Sequence, residues 1–297
     1  MKILLLGKNG QIGWELQRSL APLGKLHALD RETVNGLSGN ISDLGTLRAT
    51  IRQIKPDVIV NAAAYNAVDK AEFEPDLAYL LNSEAVQVMA EESRVLGAWL
   101  VHYSTDYVFN GQGQTPWQET DTAGAINNYG VSKLAGERAI QASGCKYLIF
   151  RTSWVYSVRG QNFAKTMLRL AKERETLNVV HDQIGAPTGA DLIADVTALA
   201  VHRIIDQPEL SGLYHLAASG EASWYDYACE VIDFARAVGE ELAVSTVNPI
   251  YTADYPAPVL RPLNSRLNTQ KLRDAFSLHL PDWQSGVIRM LREIFNK

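Results

Sequence analysis

The chain has 297 residues, 46% of them apolar, which is enough to bury a substantial core as one large domain or two unequal ones and argues against a disordered chain. Its 28 basic residues against 33 acidic ones give a net charge of −5, so there is no basic surplus to neutralise a nucleic-acid backbone. No apolar run approaches the roughly 20 residues of a membrane-spanning helix, and Cys145 and Cys229 form neither a C-x-x-C pair nor a disulfide framework, so a soluble protein of the reducing cytoplasm is expected.

Lys2–Leu6 is a short apolar run of the kind buried in a parallel sheet, and it ends after Leu6 at Gly7, too soon for an export signal. Helical spacing over residues 12–20 follows until Pro22. Between the two, Gly7, Gly10 and Gly13 form G-x-x-G-x-x-G, where a helix N-terminus offers free N–H groups to a pyrophosphate. An ordinary tight turn is the plainer reading, but the position at the first strand-to-helix junction favours a dinucleotide.

A second strand, Lys25–Leu29, ends at Asp30, whose carboxylate can accept hydrogen bonds from adenosine ribose hydroxyls and would repel a 2′-phosphate. The guanidinium of Arg31 could pair with that phosphate, so NADH is favoured without excluding NADPH. A helix over Leu44–Ile54 leads through Pro56 to a third strand over 57–60. The small side chains of Asn61-Ala62-Ala63-Ala64-Tyr65 then let a cofactor lie close to the backbone at a strand's C-terminal end.

A long helix over 76–96, a strand over 99–103, a helix over 129–142 and a strand over 147–150 continue the alternation. The pattern predicts an α/β fold with a Rossmann-type, doubly wound parallel sheet. Beyond about residue 155 the order loosens, with helices near Phe163–Glu173, 192–206 and 224–238 separated by loops such as Gly185-Ala186-Pro187-Thr188-Gly189. The expected division is an NAD(P)-binding domain at 1–155, joined by later returning segments, and a smaller substrate-binding lobe at 156–297 packed closely on it.

Tyr129 and Lys133 stand four residues apart, hence on one face of a helix. A lysine cation beside a phenol stabilises the phenolate and makes it a better proton donor and acceptor at neutral pH. Tyr129 would protonate a substrate oxygen while a nicotinamide delivers hydride, and Lys133 would hold the cofactor's ribose. Any surface helix can carry this pair, but here Ser104 and Thr105 close the preceding strand and offer hydroxyls that polarise a ketone, or else merely cap a turn.

Together with the glycine turn and the acidic strand end, these residues make the chain resemble the extended short-chain dehydrogenase/reductases, and within them the dTDP-4-dehydrorhamnose reductases, along nearly its whole length. The runs that carry the resemblance are Gly7 to Gly13, Ala67-Val68-Asp69-Lys70-Ala71-Glu72, Ser104-Thr105-Asp106-Tyr107-Val108-Phe109, Tyr129 to Lys133, Arg151-Thr152-Ser153-Trp154-Val155-Tyr156, Gly185-Ala186-Pro187-Thr188 and Arg261-Pro262-Leu263-Asn264-Ser265. The resemblance implies reduction of dTDP-4-dehydro-β-L-rhamnose at C4 by NADH or NADPH, giving dTDP-L-rhamnose, a sugar donor for bacterial surface polysaccharide such as lipopolysaccharide O-antigen.

The same resemblance assigns the chemistry to Tyr129, Lys133 and Thr105. It sets Gly10, Gln11 and Ile12 on the pyrophosphate and puts Asp30, Asn40, Ile41, Ala63, Ala64, Tyr65 and Asn66 around the rest of the cofactor. Thr105, Asp106 and Trp154 face the sugar nucleotide, although Trp154 also reads as a core aromatic. Asn66 stands where the family usually has threonine and Asn40 where some members have aspartate, which loosens the cofactor preference but not the Tyr129/Lys133 reading.

Some members of the family are homodimers with a magnesium ion near the subunit interface, which would be structural, and the matching positions here are Glu15, Asp191 and Glu293, with Asp191 in place of a longer glutamate. Three acids this far apart in sequence read equally as solvated surface groups. The six histidines show no zinc-binding spacing. The alternatives are another dTDP-ketodeoxysugar reductase or epimerase, and a non-catalytic regulatory nucleotide-binding subunit. The presence of Thr105, Tyr129 and Lys133 together argues against the second.

Overall fold

The computed structural model describes residues 1–296; Lys297, the last residue of the expected second lobe, lies outside the described residues. Six strands make one parallel sheet: β1 (Lys2–Leu6), β2 (Lys25–Leu29), β3 (Val58–Asn61), β4 (Trp99–Thr105), β5 (Lys146–Thr152) and β6 (Gly212–His215), in the order β6-β5-β4-β3-β1-β2. The order reverses at β1, which pairs with β2 on one side and β3 on the other, Leu4 lying opposite His27 and Ile59. Ligands of such sheets bind outside the carboxyl ends of the strands at this reversal.

Alternate residues of each strand enter two different cores, which is why the strands read as continuous apolar runs. Ile3, Leu5, Val58 and Val60 pack with Leu16 and Leu20 of helix α1 (Gln11–Leu20), and with Ile193, Val196 and Val201 of a later helix over Ala190–Ile204. Leu4, Leu6 and Ile59 face the other way, onto Leu47 and Ile51 of α2 (Leu44–Ile54), Val86 and Met89 of α3 (Ala85–Leu96) and Ile140 of α4 (Asn128–Ser143). The segment after residue 155 thus returns to the first core through Ala190–Ile204, β6 and Gln270–Phe276.

A third core joins α5 (Phe163–Glu173), α6 (Trp224–Ala237) and α7 (Trp283–Phe295) with the paired strands Thr176–Val180 and Thr246–Ile250. The α6 helix begins on a capping box between Ser223 and Asp226.

The helix expected over 76–96 is broken into Pro75–Tyr79, a π-helical turn Leu80–Glu84, and α3. A Cβ on Gly136 of α4 would lie 2.1 Å from the Asn82 carbonyl, so the two helices touch backbone to backbone at this turn. The Asn82 side chain is thereby buried beside the site: its amide oxygen accepts from Tyr65 N at 2.9 Å, and Nδ2 donates to the Tyr65 carbonyl and to Ser132 Oγ, each at 3.0 Å. One side chain therefore ties the loop after β3 to the helix that carries Tyr129 and Lys133.

Candidate active site

Two adjoining cavities open at the carboxyl ends of the strands and share Gly10, Ala62, Ala63, Ala64 and Asn66. The larger, about 700 Å³, is lined by Gly7, Asp30, Arg31, Asn40, Ile41, Ala63, Ala64, Tyr65 and Asn66 among others. The smaller, about 410 Å³, brings together Gln11, Ile12, Thr105, Asp106, Tyr129, Lys133 and Trp154. Every cofactor and substrate position expected from the sequence lines one or both, except Gly13.

Gly13 is buried under the turn, where a Cβ would meet the Gly7 carbonyl oxygen at 2.0 Å. Gly7 itself has φ +82°, and a Cβ there would lie 2.7 Å from Ala63 N. The two glycines therefore let the turn, α1 and the Ala62-Ala63 backbone close on one another, a cradle any side chain would fill. Gly10 is the N-cap of helix α1 and offers no side-chain cap, and the first turn carries no acid, leaving N–H groups available to a pyrophosphate.

The Asp30 carboxylate is already engaged. It accepts from Asn9 Nδ2 and from Glu32 N (3.0 Å), and Lys8 Nζ lies 3.7 Å away. Arg31 is exposed at the rim of the same cavity.

At the junction of the cavities Tyr129 is buried, and its phenol is pushed well above its usual range by burial, while a hydrogen bond with Thr105 opposes this and the charge of Asp106 adds to it. Lys133, 3% exposed, donates from Nζ to the Tyr103 carbonyl at 2.5 Å. Burial lowers its ammonium to about 8, and Glu137, one turn further along α4, opposes that shift. Lys133 gives one of its three donors to this backbone carbonyl, and burial is the leading cause of the Tyr129 shift. Glu137 is in turn held by a buried two-pronged ion pair with Arg151, at 2.9 and 2.6 Å.

Thr105 serves in two ways. Its hydroxyl caps the turn Asp106–Val108 by accepting from Tyr107 N and donates to Asp106 Oδ1, both at 3.2 Å, while it also lines the cavity. Asp106, 2% exposed, is raised to about 6 by burial, and hydrogen bonds from Ser265 and Thr105 hold it back. Its Oδ2 lacks a partner, as do the buried hydroxyls of Ser104, Thr152 and Ser153 on the same wall. Buried polar atoms left unpaired are costly, so this wall is built to receive a polar ligand.

Trp154 lines the cavity in a left-handed conformation, φ +50°, and stacks on Trp224 with ring centres 3.6 Å apart. Trp224 Nε1 donates to Gln183 Oε1 at 3.0 Å. Thus Trp154 is both a packed aromatic and part of the cavity wall. The sequence reading gave no role to Asn82, Thr152, Ser153, Trp224 or Arg261; Thr152, Ser153 and Arg261 lie in the runs that carried the family resemblance, while Trp224 and Asn82 have no local signature.

Glu15, Asp191 and Glu293 do converge, on a separate 20 Å³ cavity between α1, Ala190–Ile204 and α7. Burial, followed by the charge of Asp191, raises the Glu15 carboxyl. Arg289 Nη2, however, lies 2.5 Å from Asp191 Oδ2, so the cluster carries its own cation. Among the described residues no group of three metal-ligating side chains is placed to hold an ion, and the arrangement does not fit a three-carboxylate magnesium site. No helix among the described residues is long and apolar enough to cross a membrane.

Residues 1–296 match the family described as RmlD substrate binding domain. The chain is 57% identical over 295 residues to the dTDP-4-dehydrorhamnose reductase of Shigella flexneri, covering 99% of this chain and 98% of that one, and equally similar to that of Salmonella typhimurium. Among solved structures, dTDP-4-dehydrorhamnose reductase from Bacillus anthracis in complex with NADP superposes with a TM-score of 0.87 at 35% identity, covering 98% of this chain and 99% of that one. The chain belongs to the dTDP-4-dehydrorhamnose reductase family.

Proposed function

We propose that this chain reduces the C4 ketone of dTDP-4-dehydro-β-L-rhamnose with NADPH, giving dTDP-L-rhamnose. The observation that carries the reading is the junction of two continuous cavities at Tyr129, Thr105 and Lys133, in a chain 57% identical to reductases named for that reaction. The glycine cradle and the uncapped start of α1 fit a dinucleotide, and the unpaired hydroxyls of Ser104, Thr152 and Ser153 in the adjoining cavity fit a polar sugar nucleotide. When bound, NADPH supplies the hydride that C4 receives.

The Tyr129 hydroxyl donates its proton to the ketone oxygen as charge develops there. Thr105, which lines the same cavity as Tyr129, polarises the same oxygen when its hydroxyl proton turns from Asp106 to the ketone. Lys133 holds the ribose hydroxyls with donors not taken by Tyr103. Asn82 keeps the loop at Tyr65 and the catalytic helix in one register, so cofactor and acid approach the substrate at fixed spacing. Asp30, already offset by Lys8 and Asn9, leaves Arg31 to meet a 2′-phosphate, which supports NADPH over the NADH preference suggested by an acid at that position.

The test is oxidation of NADPH and NADH by the purified chain with dTDP-4-dehydrorhamnose. Formation of dTDP-L-rhamnose with NADPH consumed faster is the expected result; cofactor binding without oxidation overturns the assignment. A homodimer enters this reading from the family resemblance alone, and light scattering tests it; a cytoplasmic location rests on the cysteine usage and the short first apolar run.

A further inference from the structure

Tyr129, Lys133 and Glu137 follow one another at four-residue spacing along α4, and all three are buried on one face of it. The phenol and the ammonium have parts in the reduction proposed above. The carboxylate, 1% exposed, has none.

A buried carboxylate needs a partner, and Glu137 finds it on β5. Arg151 donates from Nε to Oε1 at 2.9 Å and from Nη2 to Oε2 at 2.6 Å. The guanidinium stands 4.9 Å from the centre of the Phe109 ring, and its Nη1 is buried with no acceptor. Along the sheet Arg151 lies opposite Ser104, the neighbour of the Tyr103 whose carbonyl takes Lys133. Ammonium, carbonyl, guanidinium and carboxylate therefore close a ring between α4 and the ends of β4 and β5. A buried ion pair adds little stability over apolar side chains of the same volume, and the same helix and strand supply such side chains nearby at Ile140 and Ile149. An ion pair at this place points to a use other than stability.

The charges around Lys133 leave that use to Glu137. On β4, burial and the charge of Lys133 hold His102 well below its usual range, hence neutral. Asp106 acts on Tyr129, and Tyr107 stands edge-on to the same ring. Asp69 is paired with Arg261, and Glu72 accepts from Asn128 at the start of α4. Glu84 is exposed, and Glu92 is taken by Arg48 and Arg52. Burial pushes the Lys133 ammonium down to about 8, and among the described residues Glu137 is the anion that opposes this.

We propose that Glu137 and Arg151 are a positioning pair that sets the charge of Lys133: the carboxylate keeps the ammonium protonated where it meets the cofactor, and the guanidinium limits how strongly. The inference rests on the reading of Lys133 as the residue that holds the cofactor's ribose.

The titration midpoint of Lys133 is read by NMR of isotope-labelled lysine in the purified chain, its signal assigned by its loss in Lys133→Arg, and kcat/KM for NADPH is measured over the same pH range. In Glu137→Gln the guanidinium remains without its carboxylate, so the midpoint falls by about one pH unit or more. In Arg151→Met the carboxylate faces Lys133 unopposed, so the midpoint rises by a similar amount. A purely structural pair would cost activity and stability in both variants without driving the midpoints apart. Midpoints that stay in place, or move in the same direction, overturn the proposal. Should a single variant fail to fold, the double variant Glu137→Gln/Arg151→Met leaves neither charge unpaired and decides. There a midpoint below wild type supports the proposal, because Glu137 acts on Lys133 more strongly than Arg151 does, and one equal to wild type refutes it. If the midpoints part as expected but the alkaline decline of kcat/KM does not follow them, the pair stands and the reading of Lys133 as the cofactor's anchor falls, so the two failures are distinguishable.

Discussion

The two cavities of the cleft, the one proposed here as the cofactor side and the other as the sugar side, are built in opposite ways. The cofactor side comes from three consecutive strand-to-helix junctions within the first 66 residues, and its positions are largely ones where backbone must come close: Gly7, Gly10, Gly13, Ala63 and Ala64. The sugar side is assembled from Thr105 and Asp106, Tyr129, Thr152 to Trp154, Trp224 and Arg261, which five separate segments deliver as functional side chains. The first is a shape that local sequence dictates; the second is a meeting of side chains that only folding arranges. Asn82 and the π-helical turn couple the two.

If the sides are separable, changes on one should leave the other's ligand unaffected. The largest effect is expected from Tyr129→Phe, which removes the transferable proton: kcat falls about 10²- to 10⁴-fold in steady-state assays, with NADPH affinity by fluorescence titration unchanged. Loss of NADPH binding in that variant would show that the phenol also builds the cofactor side.

Gly13→Ala probes the backbone side. Its Cβ would meet a carbonyl oxygen at 2.0 Å, so the turn must shift; overpacking of this kind costs about 1–3 kcal/mol in urea unfolding, and NADPH binding weakens with it. Wild-type stability and affinity would mean that the cradle is not set by this contact.

The pH response belongs to both sides. Lys133 carries its charge below about 8 and loses it above, so kcat/KM for NADPH should decline above that pH, approaching about tenfold per unit. Replacing Lys133 with arginine, which stays protonated, should remove that limb from the profile. A flat wild-type profile to pH 9.5 would contradict it.

Smallest is Trp224→Ala. Loss of its stack leaves Trp154 less constrained and should raise KM for the sugar nucleotide about 2- to 10-fold, the worth of one aromatic pair, with KM for NADPH unaltered. A change in KM for NADPH instead would erase the distinction between the two sides.

Much of this molecule is legible along the chain because its cause is local. The Lys2–Leu6 and Lys25–Leu29 strands, the Leu44–Ile54 and Phe163–Glu173 helices, and the facing of Tyr129 and Lys133 all follow from apolar spacing, Pro and Gly punctuation and the helical repeat. The hairpin of Thr33–Val34 with Leu37–Ser38, the π-helical turn and the return of Gly212–His215 to the sheet carry no comparable periodicity. Trp224 looks like any aromatic at the start of a helix until it is found 3.6 Å from Trp154.

The sequence by itself determined the alternation of strands and helices, the glycine turn from Gly7 to Gly13 and the one-face placement of Tyr129 and Lys133, because each depends on residues within one element or one junction. Tertiary structure alone decided how those residues behave. Burial lowers the Lys133 ammonium and raises the Tyr129 phenol, Arg289 pairs with Asp191 of the expected metal set, and a segment some 130 residues beyond Tyr129 carries Arg261 into the cavity wall. Desolvation and charge pairing depend on which distant groups share a volume, and no periodicity in the chain encodes that.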